Sequence, residues 1–453
     1  MKKNKWFALG LLLIALASCA SGEGGGGGRN KVQKIKFLHI WSESASQFTK
    51  ICNDFMSENE DIQIETIVSD YTNVPNYLNS QIMSRSLPDV FFYWSTQVAG
   101  YVQAGACLPL DDYMANWADT FRDVESWDLA KVGGKHYSVP FRCTGEVVVY
   151  NKTLFDEQNL VFPTDFQGFE DLLVSLRKIS SNPSFSPIAL TGINGGTLPA
   201  MYTAFQNFGE LITHSYEDPN FSKGLLIDSE ENRVLEGRML DKLKDLNSKG
   251  YFGQADGKTK DTSIRNFMEG NAAMLLLNNN NLYLLDELEG VELGFASIPA
   301  PRGLDYTYVH SDFDGFSIAK QTKYPDACVR FLKYLTSKDV SQYFSDQTDS
   351  VMAAGGVEYK NAVTQSVSAA MKDCGKAVFA QNDKEYSTTN IDTKNNEAIL
   401  NYILGKGRFA NGKEVADYVW SNNLTAINDA GLTAVEASVA PQSGDFSWLD
   451  IRQ

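Results

Sequence analysis

Polar and aromatic residues follow several predicted β-strands at the point where each strand ends. Carboxylate and amide oxygens accept hydrogen bonds from hydroxyl groups, arginine donates to two acceptors at once, and an aromatic face packs against the axial hydrogens of a sugar ring. These residue types favour a carbohydrate ligand. An anionic ligand would need more basic residues, and an amine would need acidic and aromatic residues only. The candidate ligand-binding residues are Trp41, Glu43, Ser44, Trp94, Arg142, Asn194, Asn278, Asn280, Asp312, Phe313 and Asp314.

Most of these side chains also have a structural interpretation that the sequence leaves open. Tryptophan is common in hydrophobic cores, and an acid is favoured at a helix N-terminus. A lone arginine fits an ion pair between structural elements, and closely spaced aspartates fit a turn. These alternatives are, in the same order, a core role for Trp41 and Trp94, a cap for Glu43, an ion pair for Arg142, and a turn for Asp312 and Asp314.

The sequence gives little support to catalysis or to metal chemistry. A glycoside hydrolase needs two carboxylates about 5–10 Å apart, and 56 acidic residues do not exclude one. The chain has no G-x-S-x-G, H-E-x-x-H or C-x-x-C motif. His39 falls in a predicted strand and His136 in a predicted turn, neither with an evident partner set. We therefore expect no enzymatic activity, no cofactor and no metal.

A β-α-β-α-β pattern positions the first candidate residues. Strands are predicted at 34–41, 62–68 and 89–94, and the helix after the first strand has apolar residues at i, i+3, i+4, i+7 and i+8. This order predicts a mostly parallel sheet with helices on both faces. Ligands bind past the carboxyl ends of such strands, and this rule selects the candidate set.

The rest of the chain continues the α/β pattern. The run VVVYN (147–151) and the segments 186–192 and 272–277 read as strands. Residues 200–250 and most of the last hundred residues read as helical. The run NLYLLDELEG (281–290) reads as a helix after a strand, with Asn280 or Asn281 as its N-cap.

The N-terminus has the pattern of a lipoprotein signal peptide, 1–18. A basic start and a short apolar run lead to LASC, which resembles the lipobox of bacterial lipoproteins; in that family the cysteine, here Cys19, carries the lipid. The tether that follows, 19–30, contains five consecutive glycines, and ten such residues reach roughly 17–19 Å. We expect an extracytoplasmic protein anchored to the cell membrane through Cys19.

Seven motifs, in order along the chain, resemble one family. They are LPDVFFYW, LPLDDYM, GKHYSVPF, VVVYNKTLFDE, VFPTDFQGFEDLL, FMEGNAAM and DGFSIAKQTKYPDACVRFLKYLTS. The chain is thereby similar to the extracellular solute-binding proteins of ABC importers, family 1, the maltose-binding-protein-like group. The family often has Gly-x-Trp after A-A-M, with the tryptophan stacking on a sugar. Here Asn278 and Asn280 stand at those two positions.

The resemblance implies a periplasmic-binding-protein-like (type II) clamshell of two α/β lobes that close on a ligand. When the family's division is carried over to this chain, lobe 1 is 31–140 plus 297–345, and lobe 2 is 141–296 plus 346–453. Crossings are then expected near Phe141–Thr144, Ser297–Ala300 and Ser345.

The implied partners are a carbohydrate, mono- or oligosaccharide, and the membrane permease and ATPase of an ABC importer. These are separate chains, because the sequence has no G-x-x-x-x-G-K-[ST] motif and no second long apolar run. The net charge of −16 argues against nucleic acid, and we expect a monomer. Alternatives are the same fold binding a non-sugar solute, a sensor subunit, or, remotely, a surface glycosidase.

Overall fold

The computed structural model of the chain has one long strand that joins two groups of strands. It describes residues 32–70, 73–94, 98–114, 117, 132, 134–190, 225–253, 260–285, 288, 290–297, 299, 311–373, 391–429, 434–437 and 447–452. The strands are β1 (Gln33–His39), β2 (Ile62–Val68), β3 (Val90–Trp94), β4 (Ser138–Asn151), β5 (Ser186–Ala189), β6 (Leu225–Asp228), β7 (Phe252–Gly253), β8 (Ala272–Asn278), β9 (Leu293–Ala296), β10 (Ser311–Ile318) and β11 (Ala434–Ala437). At about 3.3 Å per residue, β4 is about 46 Å long, enough to take part in two sheets.

β4 divides its partners between two sheets. Its first half pairs with β10, which continues through β3 and β1 to β2, and its second half pairs with β9 and with β8, which continues through β5 to β7. The strands β1, β2 and β3 are mutually parallel, as are β5, β7 and β8. Because β4 is antiparallel to β8, β9 and β10, both sheets are mixed.

Amphipathic helices cover these sheets. In α1 (Ala45–Glu58), the residues Phe48, Ile51, Cys52 and Phe55 follow helical spacing and are buried. At the start of α5 (Phe166–Ile179), the Asp165 side chain accepts a hydrogen bond from the Gly168 N–H, a cap that stabilises a helix by about 1 kcal/mol. The helices are α1 (Ala45–Glu58), α2 (Val74–Ser84), α3 (Val98–Gln103), α4 (Lys152–Glu157), α5 (Phe166–Ile179), α6 (Glu230–Ser248), α7 (Lys260–Met268), α8 (Pro325–Leu335), α9 (Lys338–Thr348), α10 (Ala362–Asp373), α11 (Ile391–Ile403) and α12 (Gly412–Asp429).

Buried hydrophobic residues form separate cores around the two sheets. The core of the first sheet takes its residues from 35–141 and 316–353. The second sheet has a core on each face, drawn from 148–449 on one face and from 147–367 on the other. The predicted lobe boundaries, 31–140 plus 297–345 and 141–296 plus 346–453, stay a prediction.

The predicted α/β class is confirmed, but two local predictions are wrong. Residues 225–228 form β6 inside the range predicted as helical, because they pair with β11, a partner about 200 positions away in the chain. The segment after β8 is a short 3₁₀ helix, Asn279–Leu285, which begins before the predicted N-cap residues Asn280 and Asn281 and ends before Gly290. Asparagine is unfavourable inside a helix because its side chain competes for backbone hydrogen bonds, and here the Asn279 side chain bonds the backbone of β4.

Candidate ligand site at the crossing strands

Three segments lie side by side where β4 passes from one sheet to the other. Residues 311–314 of β10 pair with one edge of β4. On the other edge, the segment after α9 runs antiparallel to β4. The Cys143 N–H donates to the Val351 carbonyl over 2.8 Å, and the Ala353 N–H donates to the Phe141 carbonyl over 3.0 Å. These three segments form the crossing.

A buried ion pair joins two of the crossing segments. Arg142 of β4 stands opposite Asp314 of β10, and its Nη2 donates to the Asp314 Oδ2 over 2.9 Å. Both side chains are less than a tenth exposed. Burial raises the pKa of Asp314, and the charge of and the hydrogen bond from Arg142 act against that shift. The structural alternative for Arg142 is therefore realised, although Arg142 also lines the cavity described below.

The expectation that the Trp41 ring faces a ligand is corrected by the structure, which places Trp41 in the first core. The ring is 0% exposed. Phe48 stacks against it with centroids 5.5 Å apart, and the Arg142 guanidinium lies 4.8 Å from its centroid. Trp41 lies two residues after β1, and all residues from Phe37 to Trp41 are buried, so a position after the end of a strand does not by itself place a side chain at the ligand.

A cavity of about 370 Å³ lies beside the crossing. Its first wall is the segment after β1, where Glu43, Ser44 and Gln47 line it. Glu43 is exposed, and Ser44 is 6% exposed. Both residues belong to a 3₁₀ turn, Ser42–Ser44, that leads into α1. Two of the residues predicted at this strand end therefore lie at the cavity, and Gln47 joins them one helical turn further on.

The second wall comes from the other sheet. Asn279, Leu282 and Leu285 of the 3₁₀ helix after β8 line it, as do Leu293 and Phe295 of β9. The carboxyl ends of β1 and β8 thus face the same space, as the strand-end rule predicts. This wall is mainly apolar, which suits the hydrocarbon face of a ligand.

The third side of the cavity is the segment between α9 and α10 and the start of α10. Hydroxyl and amide groups of Thr348, Ser350, Asn361 and Thr364 line it, together with Asp349. These residues are not among the predicted candidates, because no predicted strand ends near them. They reach the cavity through pairing of residues 351–353 with β4, which is a contact between distant parts of the chain.

Asn279 bridges the backbone of β4. Its Oδ1 accepts from the Gly145 N–H over 3.0 Å, and its Nδ2 donates to the Cys143 carbonyl over 3.1 Å. The sequence selects Asn278 and Asn280 of this run as candidate ligand contacts, whereas the structure gives the bridging role to Asn279 between them. Asn278 itself ends β8 opposite Glu146 and is half-buried.

Several candidate positions lie wholly or partly outside the described residues. Asp312 and Phe313 are described only through their backbone, which pairs with β4, and Trp94 through the end of β3 opposite Asp314. The backbone of Asn280 lies in the 3₁₀ helix. The side chains of Trp94, Asn280, Asp312 and Phe313, and the whole of Asn194 and Cys19, are outside the described residues.

The two histidines that the structure describes, His39 and His136, lie outside the cavity lining. His39 is buried and stacks on Phe48, with ring centroids 4.3 Å apart. His136 lies beside Asp111, with its Nδ1 3.2 Å from the Asp111 Oδ1. Asp111 also accepts from the His136 backbone N–H, so this pair fixes the turn before β4. Among the described residues, no group of three or more His, Cys, Asp or Glu residues is placed to hold a metal ion.

Residues 50–373 match the family described as bacterial extracellular solute-binding protein. Within the described residues, no helix has the length and apolar character needed to cross a membrane. The matched range contains the crossing and nearly all of the cavity lining, with Glu43, Ser44 and Gln47 just before it.

Three relatives resemble the chain over most of its length. The multiple sugar-binding protein of Streptococcus mutans is 24% identical over 438 residues, covering 90% of this chain and 94% of its own. RafE of Streptococcus pneumoniae, in its apo form, gives a TM-score of 0.70 at 19% identity, covering 89% of this chain and 100% of that chain. RafE in complex with raffinose gives a TM-score of 0.64 at 20% identity, covering 87% of this chain and 99% of that chain. The sugar-binding protein MalE of Xanthomonas citri gives a TM-score of 0.70 at 17% identity, covering 88% of this chain and 98% of that chain.

The structural similarity confirms the predicted two-lobed α/β fold. The sheets are mixed instead of mostly parallel because three antiparallel strands, β4, β9 and β10, meet at the crossing.

Proposed function

Since the chain belongs to the family of bacterial extracellular solute-binding proteins, we propose that it captures a neutral carbohydrate in the cavity beside the crossing. One observation carries the proposal, namely that residues following β1 of one sheet and β8 of the other line the same cavity. A ligand there contacts elements of both lobes. It therefore stabilises a closed arrangement relative to an open one.

The lining has the mixture of groups that a sugar requires. Carboxylate, amide and hydroxyl groups stand on the walls formed after β1 and between α9 and α10, and they suit a rim of hydroxyls that both donate and accept. Leu282, Leu285 and Phe295 offer an apolar surface for the carbon–hydrogen face of the ring. Mostly apolar pockets with a few polar groups are typical of small-molecule sites.

The charge balance of the cavity favours a neutral ligand. Glu43 and Asp349 are exposed carboxylates on its lining. Among the described lining residues, Arg142 is the one cation, and Asp314 offsets its charge from 2.9 Å away. An anionic ligand would meet two carboxylates without an available counter-charge. The names of the relatives, a multiple sugar-binding protein and RafE with raffinose, support the same class.

Delivery of the sugar to an ABC importer completes the proposal. The closed form would dock on a membrane permease driven by a cytoplasmic ATPase, both on separate chains. A lipid on Cys19 and the tether at 19–30, which contains five consecutive glycines, would hold the protein at the outer face of the membrane. The lobes would be 31–140 plus 297–345 and 141–296 plus 346–453, with the protein acting as a monomer that binds and has no enzymatic activity.

A thermal-shift screen tests the ligand class. Neutral mono- and oligosaccharides, raffinose among them, are compared with acidic sugars, amino acids and polyamines. At 100 times its dissociation constant a ligand adds about 2.7 kcal/mol to stability. For a chain of this length that corresponds to a rise of about 3 °C in melting temperature.

We expect the largest rise from a neutral sugar. A rise with an amino acid or a polyamine and none with any sugar would contradict the carbohydrate class. Turnover of a glycoside that disappears when one acid is replaced would contradict the binding role.

A further inference from the structure

We propose that Asn279 is a positioning residue that fixes β4 at the crossing and so sets how the two lobes stand relative to each other. The inference rests on the proposed two-lobed binding function. It concerns β4 at the crossing, however, and can be tested without any ligand.

The Asn279 amide fills a gap in the hydrogen-bond ladder along one edge of β4. Below the gap, the Cys143 N–H donates to the Val351 carbonyl. Above it, β8 pairs with β4 from Glu146 onward. Between them, the Cys143 carbonyl and the Gly145 N–H bond the two ends of the Asn279 amide at 3.1 and 3.0 Å. One side chain thus replaces the pair of backbone hydrogen bonds that a continuous neighbouring strand would make.

The gap falls where β4 leaves one sheet for the other. Up to Gly145 the strand pairs with β10, and from Glu146 it pairs with β8. Gly145 has no side chain to restrict its backbone, so rotation between the lobes would concentrate at this point if the edge were unpaired. The bridge from Asn279 restrains the backbone there.

Asn279 also connects β4 at the crossing to the cavity. It is 9% exposed and lines the cavity, as do Leu282 and Leu285 further along the same 3₁₀ helix. A ligand that contacts this helix therefore reaches the backbone of β4 at Cys143 and Gly145 through the Asn279 amide. Only an amide supplies a donor and an acceptor in one plane, whereas aspartate of the same shape would set a carboxylate oxygen against the Cys143 carbonyl.

The test measures the distance between the lobes in the ligand-free protein. Dyes are attached through azide-bearing residues introduced at Met83 and Val161, which are 87% and 83% exposed. Single-molecule energy transfer then gives the distance distribution for the wild type, Asn279→Ala and Asn279→Asp. We expect both variants to widen or shift the distribution. Asn279→Asp keeps the volume of the side chain, so its distance distribution tests the proposal even if Asn279→Ala fails to fold.

Asn247→Ala is the matched control. Asn247 is also a partly buried asparagine, and it donates to the Ile403 carbonyl over 3.2 Å between α6 and α11, away from the crossing. It should lower the melting temperature without changing the distance distribution. A wild-type distribution in both Asn279 variants, or an equal change in Asn247→Ala, would overturn the proposal.

Raffinose binding provides a second arm. Loss of one hydrogen bond of about 1 kcal/mol that holds the closed form corresponds to roughly a fivefold weaker affinity. We expect a change of that size in Asn279→Asp and none in Asn247→Ala. If the wild type binds no sugar, the proposed function fails, and the ligand-free distances still decide the role of Asn279.

Discussion

Replacing one partner of the buried Arg142–Asp314 pair should destabilise the protein far more than replacing both. Asp314→Ala leaves a guanidinium that is 8% exposed without the carboxylate 2.9 Å away. Breaking a buried pair in this way costs about 3–5 kcal/mol, because the remaining charge stays buried after it loses this counter-charge. Arg142→Met leaves the Asp314 carboxylate in the same position.

The double variant Arg142→Met/Asp314→Leu removes both charges together. Apolar replacement of a buried pair is often neutral or stabilising. The lost contact between the guanidinium and Trp41, 4.8 Å from its centroid, costs about 0.5–2 kcal/mol. We therefore expect the double variant to lie within about 2 kcal/mol of the wild type.

Denaturant unfolding of the four proteins forms a double-mutant cycle. Each single variant should lower the free energy of unfolding by about 4 kcal/mol, or the melting temperature by about 4 °C for a chain of this length. Arg238→Met, which breaks the exposed pair with Asp450, is the control and should cost at most about 1 kcal/mol. Additive losses in the double variant would refute the reasoning, since the two charges would then be independent.

Three further predictions concern a buried histidine, a second buried pair and the cavity wall. Burial lowers the pKa of His39 from 6.5 to about 4, so the folded state resists protonation and stability falls as the pH drops from 6.5 towards 4. Unfolding at pH 4.5 and 7.5 should show a loss of about 2–3 kcal/mol in the wild type that is absent in His39→Leu; an equal loss in both would contradict this. Lys242→Met should cost about 2–3 kcal/mol in denaturant unfolding, because Glu170, 2% exposed, loses the ammonium 2.9 Å away and retains the more exposed Arg452 guanidinium at 3.4 Å; a cost below 1 kcal/mol would argue against the pair. Glu43→Gln should reduce the preference for the neutral sugar that gives the largest thermal shift over an acidic sugar by about two- to fivefold in calorimetric titration, and an unchanged ratio would remove Glu43 from the site.

Local patterns were sufficient to predict the α/β class and the helices that cover the first sheet. The spacing of Phe48, Ile51, Cys52 and Phe55 gives the buried face of α1 without knowledge of its partners. The strand-end rule also placed Glu43 and Ser44 at the cavity, since it depends only on the direction of a parallel strand.

Contacts between distant segments limited the other predictions. β6 lies inside a range predicted as helical because its partner, β11, follows it by about 200 positions. The side chain of Trp41 points into the core, which the end of a strand does not specify. Asn279 owes its role to β4, more than 130 positions earlier in the chain. Each of these features depends on which segment lies alongside, and this is a property of the whole fold.

The most direct test of the account is a crystal structure of the protein with the neutral sugar that gives the largest thermal shift. We expect the sugar in the cavity beside the crossing. Its hydroxyls should lie within hydrogen-bond distance of Glu43 on one wall and of Asn361 on the third side. A sugar bound elsewhere, or one held by residues of a single lobe, would contradict ligand capture between the two lobes.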